Sequence, residues 1–193
     1  MIESKTRKEE IIEAAAKLFK EKGYAASTMR DLAESVGIEA ASLYNHIKSK
    51  DQILGDICTK IGEMFTRKMD LIDGAYSSNR DKVMALIETH IEITTTYAAM
   101  ASVTNDEWRH LDEPQLTEFV KMRDAYEAKF LTFISQGIEN GDFQAENATT
   151  ALYTILSSVR WLQYWYKPER GLTIDEIKAQ ITNLLMKGLS NHG

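Results

Sequence analysis

The chain has 193 residues, 44% hydrophobic and 27% charged, with only two prolines, ten glycines and one cysteine. That composition excludes a disordered, collagen-like or disulfide-stapled chain and fits a reducing, cytoplasmic setting. The net charge of −6 argues against nucleic acid only until it is divided: residues 1–50 carry nine Lys/Arg against eight Asp/Glu, and residues 51–193 carry fourteen against twenty-one, a near-neutral N-terminal module on an acidic body.

Apolar positions Ile11, Ile12, Ala15, Leu18 and Phe19 form one stripe, predicting a first helix over 8–22 that ends at Gly23. Thr28 and Asp31 have the spacing of an N-cap and its acceptor, opening a short helix that stops at Gly37. A third short helix follows at about 40–45. Ser49 and Gln52 then open a longer one through Ile53, Ile57, Ile61, Met64 and Phe65. In the body, Ser77-Ser78-Asn79 caps a helix to about residue 101, and Asp112-Glu113-Pro114 starts one that ends at Asn140-Gly141. A further helix spans about 147–166, and Thr173 with Glu176 caps the last. The chain therefore reads as all-α with about nine helices, divided into a head at residues 1–50 and a body at 51–193. No run of about 18 apolar residues predicts a membrane span, and the N-terminus lacks the apolar core of a secretory leader.

Two short helices joined by a tight turn at Gly37 make a helix-turn-helix. Ala33 is small where the helices cross, and Val36, Ile38, Leu43 and Ile47 seal the module against helix 1. The outward set on the second helix, Ala40, Ala41, Ser42, Tyr44, Asn45 and His46, is small or polar and largely uncharged, a face able to approach base edges and phosphates. The string Leu18-Phe19, Gly23-Tyr24, Thr28-x-x-Asp31-Leu32-Ala33, Val36-Gly37-Ile38, Ser42-Leu43-Tyr44-x-His46-Ile47 and Ser49-Lys50-Asp51-x-Ile53-Leu54 resembles the TetR-type transcriptional regulators over about residues 8–55.

That resemblance implies a homodimer with a three-helix DNA-binding head and a ligand-binding, dimerising body, acting on double-stranded operator DNA as a repressor released by a small molecule. Carried over by position, Thr28 is a phosphate contact and Ala40, Ala41 and Asn45 face the major groove. Tyr44 and His46 touch the backbone, and Lys50 binds phosphate at the start of helix 4. Arg30 reaches a base or a phosphate, and Asn45 is suited to adenine. Against these stand plainer roles: Thr28 caps a helix with or without DNA, and Tyr44 could pack on helix 1.

Two stretches of the body, Glu107-Trp108-Arg109-x-Leu111 with Arg123-x-x-Tyr126-Glu127, and Trp161-x-x-x-Trp165-Tyr166-x-Pro168, resemble a subgroup that responds to acyl-CoA thioesters. The expected effector pocket comprises Met64, Tyr97, Trp108, Arg109, Arg123, Tyr126, Trp161 and Trp165, the arginines being candidates for CoA phosphates and, equally, for ion pairs. The apolar sets Leu152, Ile155, Leu156 and Val159, then Ile177, Ile181, Leu184 and Leu185, exceed what a thin body buries alone and predict a four-helix dimer interface. The four histidines form no HExxH pair, and there is neither a Gly-rich phosphate loop nor a Ser nucleophile elbow. No catalytic residue, metal or cofactor is called for. The alternative is a chromosome-organising protein with the same head and no inducer.

Overall fold

The computed structural model describes residues 6–189, and every regular element among them is helical. In chain order these are α1 (Arg7–Lys22), α2 (Met29–Ser35), α3 (Ala40–Leu43), α4 (Lys50–Ala75), α5 (Asn79–Thr96), α6 (Ala98–Glu107), α7 (Gln115–Glu139), α8 (Ala148–Arg160), α9 (Leu162–Trp165) and α10 (Ile174–Leu189). Single 3-10 turns occupy Trp108–His110 and Pro168–Arg170. The chain is all-α, and among the described residues about nine helices result if α9, parted from α8 by Trp161 alone, is counted with it. No helix among the described residues is long and apolar enough to cross a membrane.

The helix starts follow local chemistry. Thr28 accepts from the Asp31 N–H at 3.1 Å while the Asp31 carboxylate accepts from the Thr28 N–H at 2.8 Å, a closed capping box. Thr173 and Glu176 repeat it ahead of α10. Thr6 and Glu9 do the same for α1, a box that the apolar stripe beginning at Ile11 did not announce. At α4, Ser49 Oγ accepts from the Gln52 N–H, but the Gln52 amide oxygen takes the N–H of Lys48 and not that of Ser49.

One expected helix breaks. The run from residue 79 to about 101 divides at Tyr97 (φ −111°, ψ 40°) into α5 and α6. Thr94, Thr95 and Thr96 precede the break, three β-branched residues in succession, and the Thr95 hydroxyl donates back to the carbonyls of Ile91 and Glu92.

The packing forms two compact units. The first takes the chain up to Gly62 together with Ala99–Val120; the second takes Glu63–Ala98 and the chain from Lys121 onward. The first is thus larger than residues 1–50, because the opening turns of α4 and nearly all of α6 pack with the head. Its core contains Ile11, Ala15, Phe19, Leu32, Leu43, Ile47, Ile53, Leu54 and Ile57, all buried. Val36 and Ile38, expected to seal that core, are half-buried at the turn. The second unit is built on Phe130 and Ile134 of α7 against Val83, Leu86, Ile87 and Ile91 of α5, Leu152, Ile155 and Val159 of α8 and Ile177 of α10. Each such side chain contributes about 1.5–3 kcal/mol by leaving water.

Candidate nucleic-acid interface

α2 ends as the Gly37 signal predicts. Gly37 has φ 68°, its N–H donates to the Glu34 carbonyl at 3.1 Å, and the Ile38 N–H reaches back to the Ala33 carbonyl at 3.0 Å. This paired closure satisfies two carbonyls of the helix end and turns the chain directly into α3. Ala33 is buried, as the close crossing requires. α3 proper is one turn, shorter than expected, and continues as bonded turns in which Asn45, His46 and Ile47 donate to Ser42 and Leu43 carbonyls. Leu43 and Ile47 anchor this segment inward, so Tyr44, Asn45 and His46 between them point out.

Ala41, Ser42, Tyr44, Asn45 and His46 are exposed and Ala40 is half-buried. Tyr44 leaves 54% of its surface open to solvent. From Ala40 to His46 no Asp, Glu, Lys or Arg intervenes, and a polyanion meets no fixed repulsion there. Thr28 and Arg30 are exposed at the start of α2. Lys22 Nζ stands 2.8 Å from the Asp31 carboxylate. That ammonium, together with the Thr28 hydroxyl and N–H, holds the Asp31 carboxyl down to about 2.

Lys50 is placed differently from the sequence expectation. Its ammonium donates to the Tyr24 carbonyl at 2.9 Å and the Ser27 carbonyl at 3.0 Å, and lies 4.3 Å from the centre of the Tyr24 ring. Tyr24 is buried, its hydroxyl donates to Asp51 at 2.5 Å, and its N–H donates to Glu107 at 3.3 Å. The His110 ring stacks on it at 5.6 Å. Burial and the Asp51 carboxylate push the phenol's pKa up.

The expected pocket residues fall into separate groups. In the first unit the Arg109 guanidinium lies 4.6 Å from the Trp108 ring, which also meets Phe119. In the second, Tyr126 Oη is 2.9 Å from His90 Nε2, and His90 stacks on Phe65 at 4.4 Å. Burial drives the His90 pKa down to about 3 and the Tyr126 phenol up. Arg123 meets Asp124 at 3.0 Å and Glu127 at 3.9 Å. Met64, Tyr97 and Trp165 are half-buried, Trp165 against the core. Trp161 is 62% exposed and packs on Tyr164, so it lines no interior. His90 is the polar member that pattern reading left out; its one signal was a histidine set between Ile87 and Ile91, on the apolar side of a helix that also carries Arg80, Asp81, Lys82, Glu88 and Glu92.

The expected dimer set needs correction. Leu152, Ile155, Val159 and Ile177 are buried in the subunit's own core, because that stripe of α8 and α10 faces α5 and α7. Leu156, Ile181 and Leu185 are half-buried against the same core, and Leu184 alone is open, at 71%. The outer face of α8 is instead a shallow hydroxyl-rich depression of Thr149, Thr150, Tyr153, Thr154, Ser157 and Ser158.

Comparison with known proteins gives two family matches: residues 11–57 match "Bacterial regulatory proteins, tetR family", and residues 76–189 match "Tetracyclin repressor-like, C-terminal domain". Among curated relatives, the HTH-type transcriptional repressor KstR2 of Mycolicibacterium smegmatis is 27% identical over 188 residues, 96% of this chain and 91% of its own length. The structure of the ketosteroid transcriptional regulator KstR2 of Mycobacterium tuberculosis superposes with a TM-score of 0.92 at 22% identity, covering 98% of each chain. AibR, in a crystal structure with isovaleryl coenzyme A and operator DNA, superposes with a TM-score of 0.82 at 22% identity over 94% of this chain and 98% of its own.

Proposed function

The chain belongs to the tetR family of bacterial regulatory proteins, a family of transcriptional regulators and not of enzymes, and on that premise we propose that it is a cytoplasmic, dimeric repressor released from a palindromic operator by an acyl-CoA thioester. The observation that carries the DNA-binding half is the uncharged, outward face from Ala40 to His46, held rigid by buried Leu43 and Ile47 beneath it. Ala40, Ala41 and Asn45 are assigned to base edges, and Thr28, Ser42, Tyr44 and His46 to the sugar-phosphate backbone, with Arg30 beside them. Two such faces related by a two-fold axis read half-sites one helical turn apart, about 34–36 Å.

The dimer is assigned to the outer faces of α8, α9 and α10. Tyr153, Trp161, Tyr164 and Leu184 are large side chains left exposed there, beside the small Thr and Ser hydroxyls that let a second helix approach closely. The effector class is supported by likeness to KstR2 and to AibR, whose structure holds isovaleryl coenzyme A. Within the second unit, the half-buried His90–Tyr126 pair among Phe65 and Phe130 is the polar group in an apolar setting that a thioester carbonyl would need.

Selection from a random duplex library with the purified chain tests the reading: enrichment of an inverted repeat is expected, and recovery of no repeat contradicts it. Release of that duplex by isovaleryl-CoA or longer acyl-CoAs, and not by free CoA, is expected for the effector. Indifference to the whole acyl-CoA series would overturn the effector class while leaving the DNA assignment standing.

A further inference from the structure

We propose that Lys50 is not a phosphate contact but, with Tyr24, a positioning residue that locks the loop between α1 and α2, and that Glu107 at the end of α6 and His110 in the 3-10 turn after it hold the same lock. The inference rests on the DNA-binding reading above and deepens it by naming what sets the geometry of the DNA-contacting head.

An ammonium leaving water needs partners for its N–H groups. Lys50 finds two carbonyls, those of Tyr24 and Ser27, and the face of the Tyr24 ring 4.3 Å away. These replace solvent, and turning the side chain to a phosphate would forfeit them together. The loop itself is closed: the Ser27 N–H donates to the Tyr24 carbonyl at 3.2 Å, and the Ser27 hydroxyl donates to the Gly23 carbonyl at 2.7 Å. Ser27 directly precedes Thr28, so the lock fixes the residue from which α2 is capped. Because α2 runs into the α3 turn without slack, the placement of Thr28 sets the placement of the whole outward face.

The same Tyr24 is gripped a second time. Its N–H donates to Glu107 Oε1, the His110 ring stacks on its ring, and Glu107 Oε2 lies 3.5 Å from His110 Nε2. All of these residues belong to one compact unit. A movement of the last turn of α6 therefore acts on the Tyr24 backbone, and through Ser27 on Thr28, without touching α3. This gives α6 a mechanical route to the DNA-contacting face that does not depend on any side chain facing DNA.

The salt dependence of binding to the selected inverted-repeat duplex separates lock from contact, because each phosphate neutralised adds about 0.9 to the log–log slope for duplex DNA. Lys50→Met keeps most of the apolar stem and removes the ammonium. The lock predicts weaker binding at every KCl concentration, by about tenfold, the size of one charge-assisted hydrogen bond, with the wild-type slope retained. A slope lowered by about 1.8, one phosphate for each of the dimer's two heads, overturns it. Glu107→Ala, at a position remote from α3, is expected to weaken binding in the same slope-neutral way, and Glu107→Gln, which keeps an acceptor for the Tyr24 N–H, to restore it. Unchanged affinity in Glu107→Ala would remove α6 from the proposal. Amide hydrogen exchange in the DNA-free chain is the independent arm: faster exchange confined to residues 24–28 is expected in Lys50→Met and Glu107→Ala, and no change there contradicts the lock. If the wild type selects no duplex, the DNA reading fails while this exchange result still decides whether the lock exists.

Discussion

Asp31 and His90 are the two residues whose charge most clearly depends on the fold. The Lys22 ammonium, then the Thr28 hydroxyl and N–H, hold the Asp31 carboxyl at about 2, below its ordinary 3.8. A depressed carboxyl contributes stability that is complete above its unfolded value and is lost as pH falls through the folded one. The cap of α2 should therefore persist through mildly acid conditions and give way between about pH 4 and 2. Carbon-13 titration of Asp31 in Lys22→Met is expected to return its midpoint toward 3.8, and an unshifted midpoint would mean that Lys22 is not its partner. His90 has the opposite consequence. Its ordinary value of 6.5 falls to about 3 through burial, so between those limits the unfolded chain binds a proton that the folded chain refuses, and stability drops as pH falls from 6.5 toward 3. The melting temperature of the double variant His90→Leu/Tyr126→Phe should be markedly less dependent on pH in that window than that of the wild type. At this scale the sequence is informative only where partners are near in the chain. Thr28 with Asp31 was legible at three residues' spacing, whereas Lys50 with Tyr24 and Tyr126 with His90, 26 and 36 residues apart, were not.

Among the elements, two glycines inside helices carry opposite expectations. At Gly137 in α7 an added Cβ would overlap the ring of Phe143, which is buried and tied by its N–H to the Gly137 carbonyl. The ring cannot retreat, so Gly137→Ala is expected to lose about 1–3 kcal/mol through overpacking despite the roughly 1 kcal/mol helix-propensity gain of alanine. At Gly55 in α4 the overlap is with the far end of the Gln115 side chain, which can swing away. Gly55→Ala should accordingly be neutral or mildly stabilising. Urea unfolding midpoints, with the slope unchanged, check both. Helix ends were legible because caps and stop signals are local, as at Ser49, Asn147 and Gly141. The break at Tyr97 was not, since an apolar stripe continues across it and only the threonine run before it opposes the helix. The inward face of α8 was misread as a dimer face for a related reason: periodicity shows that Leu152, Ile155 and Val159 share a side, but not whether that side meets its own chain or another.

For the molecule as a whole, total charge was a poor guide and its partition a good one. The near-neutral first fifty residues carry the outward face suited to DNA, while the acidity lies in the remainder. Sequence pattern located the helix-turn-helix and its outward residues, because buried Leu43 and Ile47 alternate with exposed neighbours on a fixed spacing. It could not show that Ala99–Val120 pack into the same unit as the head, since that association joins distant stretches of chain with no shared motif. Dimer formation belongs to this scale too. Sedimentation should find a dimer for the wild type and a shift toward monomer for Leu184→Glu/Trp161→Glu, whose side chains are exposed in the single subunit and so can change without disturbing its core. The central claim, that the face from Ala40 to His46 reads the operator, is tested most directly by fluorescence anisotropy of the selected inverted-repeat duplex with Ala41→Glu. The side chain of Ala41 is exposed, so the fold is retained and a carboxylate is turned toward the polyanion. Binding should fall by roughly a hundredfold or more, since a like charge at a desolvated contact costs several kcal/mol, with an unchanged melting temperature; affinity within twofold of wild type would contradict the account.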